Sequence, residues 1–223
     1  MARRTQQERT EHSRRRLVKA ALALMGTQGY AGTTLAEIGR AAGVSRGLVT
    51  YHFGTKEACI RAVLEDVRRG TARANAAAGE RTRGLAALDR VTEGYLRGYV
   101  TGHPGGRAIF VAITESISAT PELRELTTEN DEAFRGVVQC QLQEAVDDGE
   151  LAAGVDVGVL SVLVVGLLRG VALQWLVQEA AVDLDRVVPA VQRMVHASLA
   201  CEAAAPSART PRRQPRARRQ PSA

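Results

Sequence analysis

Between Thr34 and Lys56 the chain crowds hydroxyl, guanidinium, phenol, imidazole and ammonium groups into one short stretch, TLAEIGRAAGVSRGLVTYHFGTK. Such donors pair with phosphate oxygens and with base edges. If Ser45 caps a helix running from Arg46 to about His52, Val49 and Phe53 point inward and Arg46, Gly47, Thr50 and Tyr51 face outward. Arg46, at the N-terminal end, has the fork that reads guanine O6 and N7, worth about 1–3 kcal/mol of discrimination, or that holds a phosphate. Gly47 lets the backbone approach a groove closely. Leu48 offers an apolar contact to a thymine methyl or packs inward. Thr34, at a helix start, can hold a phosphate with its hydroxyl and the helix dipole. A different chemistry also fits the letters: Gly43-Val44-Ser45-Arg46-Gly47 matches G-x-S-x-G, the elbow that carries a serine nucleophile. That elbow needs a buried strand before it, and Leu35 to Ala42 have helical phase instead. Ser45 is therefore read as a cap, and no catalytic residue is assigned.

These groups need a scaffold. Thr34 and Glu37 have the spacing of a capping box, and Leu35, Ile38 and Ala42 fall on one face of the helix that it opens. Gly43 supplies the left-handed residue that ends this helix, and Ser45 starts the next. Two short helices about a glycine turn form a helix-turn-helix. Before them, Leu17, Ala20, Ala21 and Leu24 predict a helix from about Ser13 to Met25, ended by Gly26 and Gly29. The three helices make a small head with Leu17, Leu24, Ile38, Val44, Val49 and Phe53 inside.

The pattern Thr34…Ile38…Ala42-Gly43-Val44-Ser45…Tyr51-His52-Phe53…Lys56-Glu57 resembles the DNA-binding domain of the TetR/AcrR family of bacterial transcriptional regulators, over roughly residues 13 to 65. The resemblance implies phosphate contacts by Tyr51, His52 and Lys56, and an operator in double-stranded DNA as partner. Lys56 is one of only two lysines in an arginine-rich chain. Thr50 departs from the pattern, standing where the family usually has tyrosine, so site preference does not carry over.

Charge is unevenly spread. Residues 1–56 carry ten Lys/Arg against three Asp/Glu, residues 57–202 fourteen against twenty-one, and residues 203–223 six against none. The positive field thus lies where the helix-turn-helix sits, as phosphate binding requires. The 223 residues, 45% hydrophobic, suffice for one or two domains with a real core. Residues 1–12 read as a flexible basic N-terminus, 13–54 as the DNA-binding domain, 55–202 as a helical body and 203–223 as a disordered Pro/Arg tail whose arginines can add phosphate attraction. Cys59, Cys140 and Cys201 have no metal spacing and suggest a reducing cytoplasm. No apolar leader follows Met1, and the apolar run Val157–Leu168 is too short for a bilayer, which points to a cytoplasmic protein without a membrane partner.

No strand pattern appears, so the expected fold is all-α: a three-helix head joined to a helical bundle. Thr55 caps a helix with Ile60, Val63, Leu64 and Val67 on its stripe. Further helices are expected over 85–100, 107–118, from Thr120 with Pro121 in the first turn to Gly149, over 155–178 and over 185–201. Gly166–Val177, GLLRGVALQWLV, resembles the penultimate helix of the same family, which with the last helix forms a homodimer. Leu163, Leu167, Val171, Val191, Val195 and Leu199 are candidates for that interface, or for core packing within one subunit. The resemblance also implies a pocket in the body for a small-molecule effector, with Tyr95, Tyr99, Phe110, Glu115, Gln174 and Trp175 as candidate lining, each explicable as ordinary core. His103 and His196 stand alone, so neither a metal nor a cofactor is expected. The sequence thus points to a repressor released from a palindromic operator by its effector. A helical ligand-binding or scaffolding protein with a degenerate head is the alternative.

Overall fold

The computed structural model describes residues 6–77, 82–101, 104–118 and 120–204, with only helices and connecting turns among them. His103 and the arginine-rich stretch from 205 on lie outside the described residues. The head opens with α1, Gln6–Gly32. It starts earlier than the apolar stripe indicates, so residues 6–12 are helical rather than an irregular arm; the Arg15–Glu11 pair (3.2 Å) supports this polar first part at i,i+4 spacing. Gly26 stays helical, and the break comes at Gly29, with φ 75° and ψ 177°.

Then follow α2 (Leu35–Ala41), α3 (Arg46–Phe53) and α4 (Lys56–Ala77). The Thr55 hydroxyl caps α4, accepting from the Ala58 N–H at 3.1 Å. In the body, α5 (Gly84–Glu93) runs into a π-helical turn, Gly94–Val100, where the sequence predicts one α-helix. Gly94 and Gly98 bracket that wider turn, and within it Tyr95 stacks on Phe134 with centroids 4.7 Å apart. Next come α6 (Pro104–Ser118) and α7 (Leu123–Asp147). Thr120 and Pro121 form a turn ahead of α7, with the Leu123 N–H on the Thr120 carbonyl at 3.0 Å, rather than its first helical turn. Gly149, at φ 77°, follows the end of α7. The last helices are α8 (Val157–Val177), capped by Asp156, and α9 (Leu184–Ala204). Pro189 stands inside α9, removing one backbone donor without ending the helix.

The head rides on the body chiefly through α1 against α6, while α7 packs on α5, α6 and α8, and α9 on α5. Leu17, Met25, Ile38, Val49 and Ile60 from the head side, and Leu88, Leu96, Leu123, Leu142, Leu168 and Leu199 from the body, are fully buried and belong to one apolar cluster. Polar pairs pin the helices around it. Arg169 of α8 meets Asp131 of α7, which also holds Arg135 at 2.9 Å, and His196 of α9 reaches Asp89 of α5 at 3.0 Å.

Helix α8 continues past Arg169 to Val177, and is the one described helix long and apolar enough to cross a bilayer by length and composition. The helix agrees with the one expected over 155–178; what changes is that the apolar segment does not stop at Arg169 and so is not too short by length. The arginine does not end the helix because its guanidinium turns inward to Asp131.

Candidate nucleic-acid interface

The turn of the helix-turn-helix is fixed by backbone bonds and by a glycine contact. Thr34 accepts from the Glu37 N–H at 3.2 Å while the Glu37 carboxylate accepts from the Thr34 N–H at 3.0 Å, closing the capping box. The Thr34 hydroxyl, donating to that carboxylate at 2.9 Å, and then the Thr34 N–H hold the Glu37 carboxyl below the usual carboxylate range. Gly43 adopts φ 67°, and the Val44 N–H reaches back to the Gly39 carbonyl at 2.8 Å. A Cβ on Gly39 would lie 3.0 Å from the Val44 carbonyl oxygen and 3.2 Å from Val49 Cγ2, so only glycine lets α2 and α3 approach this closely. From outside the motif, the Arg16 guanidinium of α1 donates to the Ala42 carbonyl at the end of α2. Gly39 and Arg16 escape sequence reasoning because neither belongs to a cap or an apolar stripe.

Ser45 caps α3, accepting from the Leu48 N–H at 3.3 Å. Val49 is fully buried and Phe53 partly so, with the Arg14 guanidinium 5.6 Å from the Phe53 ring centroid. The opposite side is open: Ser45, Arg46, Gly47 and Thr50 are exposed, and Tyr51 is 79% exposed. A phenol left so bare on a helix with a complete core is available to a partner. Thr50 donates its hydroxyl proton to the Arg46 carbonyl at 3.2 Å, within its own helix. Leu48 is half-buried. His52 is half-buried too and makes an edge contact with the Tyr51 ring, centroids 5.6 Å apart.

Lys56, the first residue of α4, lies with its Nζ 3.8 Å from the centroid of the Tyr30 ring. A cation over an aromatic face is attracted by the ring quadrupole and held in one direction. Burial there lowers its pKa, against the raising influence of Glu57, Glu115 and Glu37. The Tyr30 hydroxyl in turn donates to Glu57 at 2.9 Å, and burial, then that carboxylate, pushes the phenol well above its ordinary value. Tyr30 is therefore part of the site although its sequence context marks it only as a loop aromatic. Thr34 is exposed at the start of α2.

The body candidates differ in burial and in partners. Tyr95 is buried in the π-helical turn, its phenol pushed up to about 12 by burial. Phe110 is buried in the core and Trp175 packs partly buried against it. Gln174 is exposed and donates to the Gly170 carbonyl of its own helix at 3.3 Å. Glu115 does not turn into the body: its carboxylate accepts from the Tyr30 N–H at 2.9 Å, at the junction with the head. The Tyr99 side chain lies outside the described residues.

Of the interface candidates, Val191, Val195 and Leu199 are buried within the subunit, Leu167 and Val171 half-buried, and Leu163 is 61% exposed. The bare apolar stripe of α8 is instead Val159, Leu163, Gly166, Gly170, Leu173 and Val177, with Val162 and Met194 of α9 beside it. Its spacing follows one helix face. A shallow apolar cleft of about 180 Å³ runs between α8 and α9 here, lined by Leu163, Leu167, Met194, Val195 and Leu199 among others.

Comparison with known proteins matches both halves of this arrangement. Residues 17–63 match the model described as bacterial regulatory proteins, tetR family, and residues 92–200 the model of the C-terminal part of BetI-type transcriptional repressors. The chain is 44% identical over 63 residues to the transcriptional regulator CymR of Pseudomonas putida, covering 28% of this chain and 31% of that protein. At that identity the match therefore spans about a third of the relative's length. It is 26% identical over 212 residues to an Escherichia coli (strain K12) protein described as "Probable acrEF/envCD operon repressor", covering 86% of this chain and 88% of that one. Among solved structures, SmeT in complex with triclosan shares the fold with a TM-score of 0.72 at 24% identity, over 84% of this chain and 91% of that one.

Proposed function

Since the chain belongs to the TetR/AcrR family of bacterial transcriptional regulators, we propose that it is a homodimeric repressor that grips a palindromic operator with α3 and lets go when a small molecule occupies its body. The observation that carries this is the bare polar face of α3, Arg46, Gly47, Thr50 and Tyr51, on a helix anchored from behind by buried Val49 and partly buried Phe53. Arg46 enters the major groove at the N-terminal end of α3, where its guanidinium pairs with a guanine edge. Gly47 keeps the backbone close to the bases. Tyr51, His52 and Lys56 contact phosphates, which set the register without reading sequence. Ser45 and Thr34 hold the two helix starts in place and aim their free N–H groups at the backbone of the duplex.

A single head makes half of the contacts. Two recognition helices reach successive major grooves only when their separation is about 34–36 Å, which requires a fixed dimer. The bare stripe on α8 supplies the surface for it: six residues without a charge among them, which in an isolated subunit would leave a continuous apolar strip in water. A two-fold arrangement buries the same stripe of both copies. The two exposed glycines in the stripe have open space where a Cβ would stand, so they leave room for a partner helix to come close.

Release requires that the effector bind the DNA-incompetent arrangement better, each tenfold preference amounting to about 1.4 kcal/mol of coupling. SmeT is named in complex with triclosan, a small organic molecule, which supports an effector of that general kind in the corresponding body. The degenerate-head alternative is not favoured, because cap, turn, buried anchor and exposed face of α3 are all intact.

Nuclease footprinting on the DNA flanking the chain's own gene tests the proposal. The expected result is protection of two half-sites one helical turn apart. Uniform cleavage across that DNA at protein concentrations in the micromolar range would overturn it.

A further inference from the structure

At the joint of head and body a carboxylate from α6 reaches into the break of α1. Gly29 takes φ 75°, and the very next N–H, that of Tyr30, donates to Glu115 at 2.9 Å. The positive φ favours glycine here, and the missing Cβ leaves the space that the Glu115 carboxylate occupies. The Gly29 carbonyl accepts from the buried Thr33 hydroxyl at 2.7 Å, which ties the break to the residue preceding the capping box. Beyond Tyr30 the contacts run outward: its hydroxyl to Glu57 and its ring beneath the Lys56 ammonium. At its other end, Glu115 is rooted in the turn leaving α6, where its own carbonyl accepts from the Thr120 N–H at 2.8 Å.

We propose that Glu115 is the positioning residue through which α6 sets the orientation of the DNA-reading head, acting on the Gly29–Tyr30 backbone and, through Tyr30, on Lys56. The proposal rests on the DNA-reading role of the head. The head is otherwise tied to the body by a polar contact on a different side, Arg61 of α4 with Glu129 of α7 at 2.6 Å. The apolar packing of α1 on α6 joins head and body, and the two polar ties set its orientation; with Glu115 gone the packing remains, but the Gly29–Tyr30 backbone is no longer held and the head must be ordered again each time it meets DNA. Binding two grooves at once then costs more, although no contact to DNA has been lost.

A similar device among the described residues ties the start of α5 to the turn after α7. Gly84, at φ 60°, precedes Leu85, whose N–H donates to Glu150 at 2.7 Å, and a Cβ on Gly84 would lie 2.6 Å from that carboxylate. Glu150→Ala is therefore a matched control: it removes an equivalent bond away from the joint.

The test measures fluorescence anisotropy of full-length protein on the DNA flanking its gene, over a salt series. Glu115→Ala is expected to weaken binding roughly three- to tenfold with an unchanged salt slope, because the set of phosphate contacts is intact. Glu115→Gln, which keeps a carbonyl acceptor for the Tyr30 N–H, should stay within about twofold of wild type, as should Glu150→Ala. Wild-type binding together with unchanged or tighter binding by Glu115→Ala overturns the proposal alone. Wild-type protein that ignores this DNA overturns the DNA-reading role and the proposal with it. Should Glu115→Ala fail to fold, Tyr30→Phe decides: weaker binding by roughly two- to fourfold at constant slope supports the link to Glu57, and unchanged affinity contradicts it.

Discussion

Helices α3 and α8 each leave one face in water, and the two faces are opposites. On α3 the bare residues are a guanidinium, a phenol, hydroxyls and a glycine, and every one of them is solvated at little cost while it waits. On α8 the bare stripe is valine, leucine and glycine, with Gln174 beside it, and the helix's one charge, Arg169, is turned inward to Asp131. A polar face supports an association that water and salt can reverse. An apolar face gains about 25 cal/mol for each Å2 removed from water and does not respond to salt in the same way. Under the proposed function the two faces have separate duties, a lasting association in the body and a releasable one in the head, and the second depends on the first for its geometry.

The largest effect should come from striking α8 while leaving α3 untouched. Leu163→Glu places a charge on the bare stripe, where 61% exposure means the subunit's own fold barely notices. Sedimentation should show monomers at micromolar concentration, and affinity for flanking DNA should fall by about a hundredfold or more, as expected when one half-site must bind without the other. A dimer that survives this change would move the interface off α8. Next comes the reading residue itself. Arg46→Ala is expected to cost about 1–3 kcal/mol against the preferred sequence, some five- to 150-fold, while nonspecific binding changes far less. Equal losses on specific and random DNA would make Arg46 a phosphate contact instead.

Two smaller changes sharpen the picture of α3 as a face held from behind. Ser45→Ala removes the cap that meets the Leu48 N–H, and should lower the stability of the protein by about 1 kcal/mol in denaturant unfolding. Glu37 contributes through pH. Its carboxyl is held below the ordinary value by Thr34, so its stabilisation is complete above the unfolded-state pKa and is lost as pH falls through the lowered folded one. In Glu37→Gln the acid limb of the stability profile should therefore be shallower below about pH 4.3, and an identical limb would show that the carboxylate has no part in it.

Much of the head was legible because its determinants are local. Thr34 with Glu37, Gly43 and Ser45 work through hydrogen bonds three or four residues away, so their spacing alone marks them. The start of α1 was not, since Gln6 to His12 has no apolar stripe and stands on its polar pairs and its attachment to the rest of the helix. Which phase of α8 is bare could not be read for the reverse reason. Helix α8 is apolar on nearly every side, so periodicity cannot tell which stripe faces the body, and the choice is made by where α7 and α9 lie. Glu115 shows a third limit. A glutamate among isoleucines reads as a polar tip in an apolar element, but its partner is the backbone of Tyr30, eighty-five positions away. No spacing rule reaches that far.

In the proposed function α3 and the start of α4 hold DNA through a charged, releasable face. That role is tested most directly by the salt dependence of binding to flanking DNA, with wild-type protein and Lys56→Ala side by side. Wild type should lose affinity steeply as salt rises, with a slope of about −0.9 per phosphate neutralised, and Lys56→Ala should lose about one unit of that slope. Binding that is flat in salt, or identical slopes for the two proteins, would contradict the account.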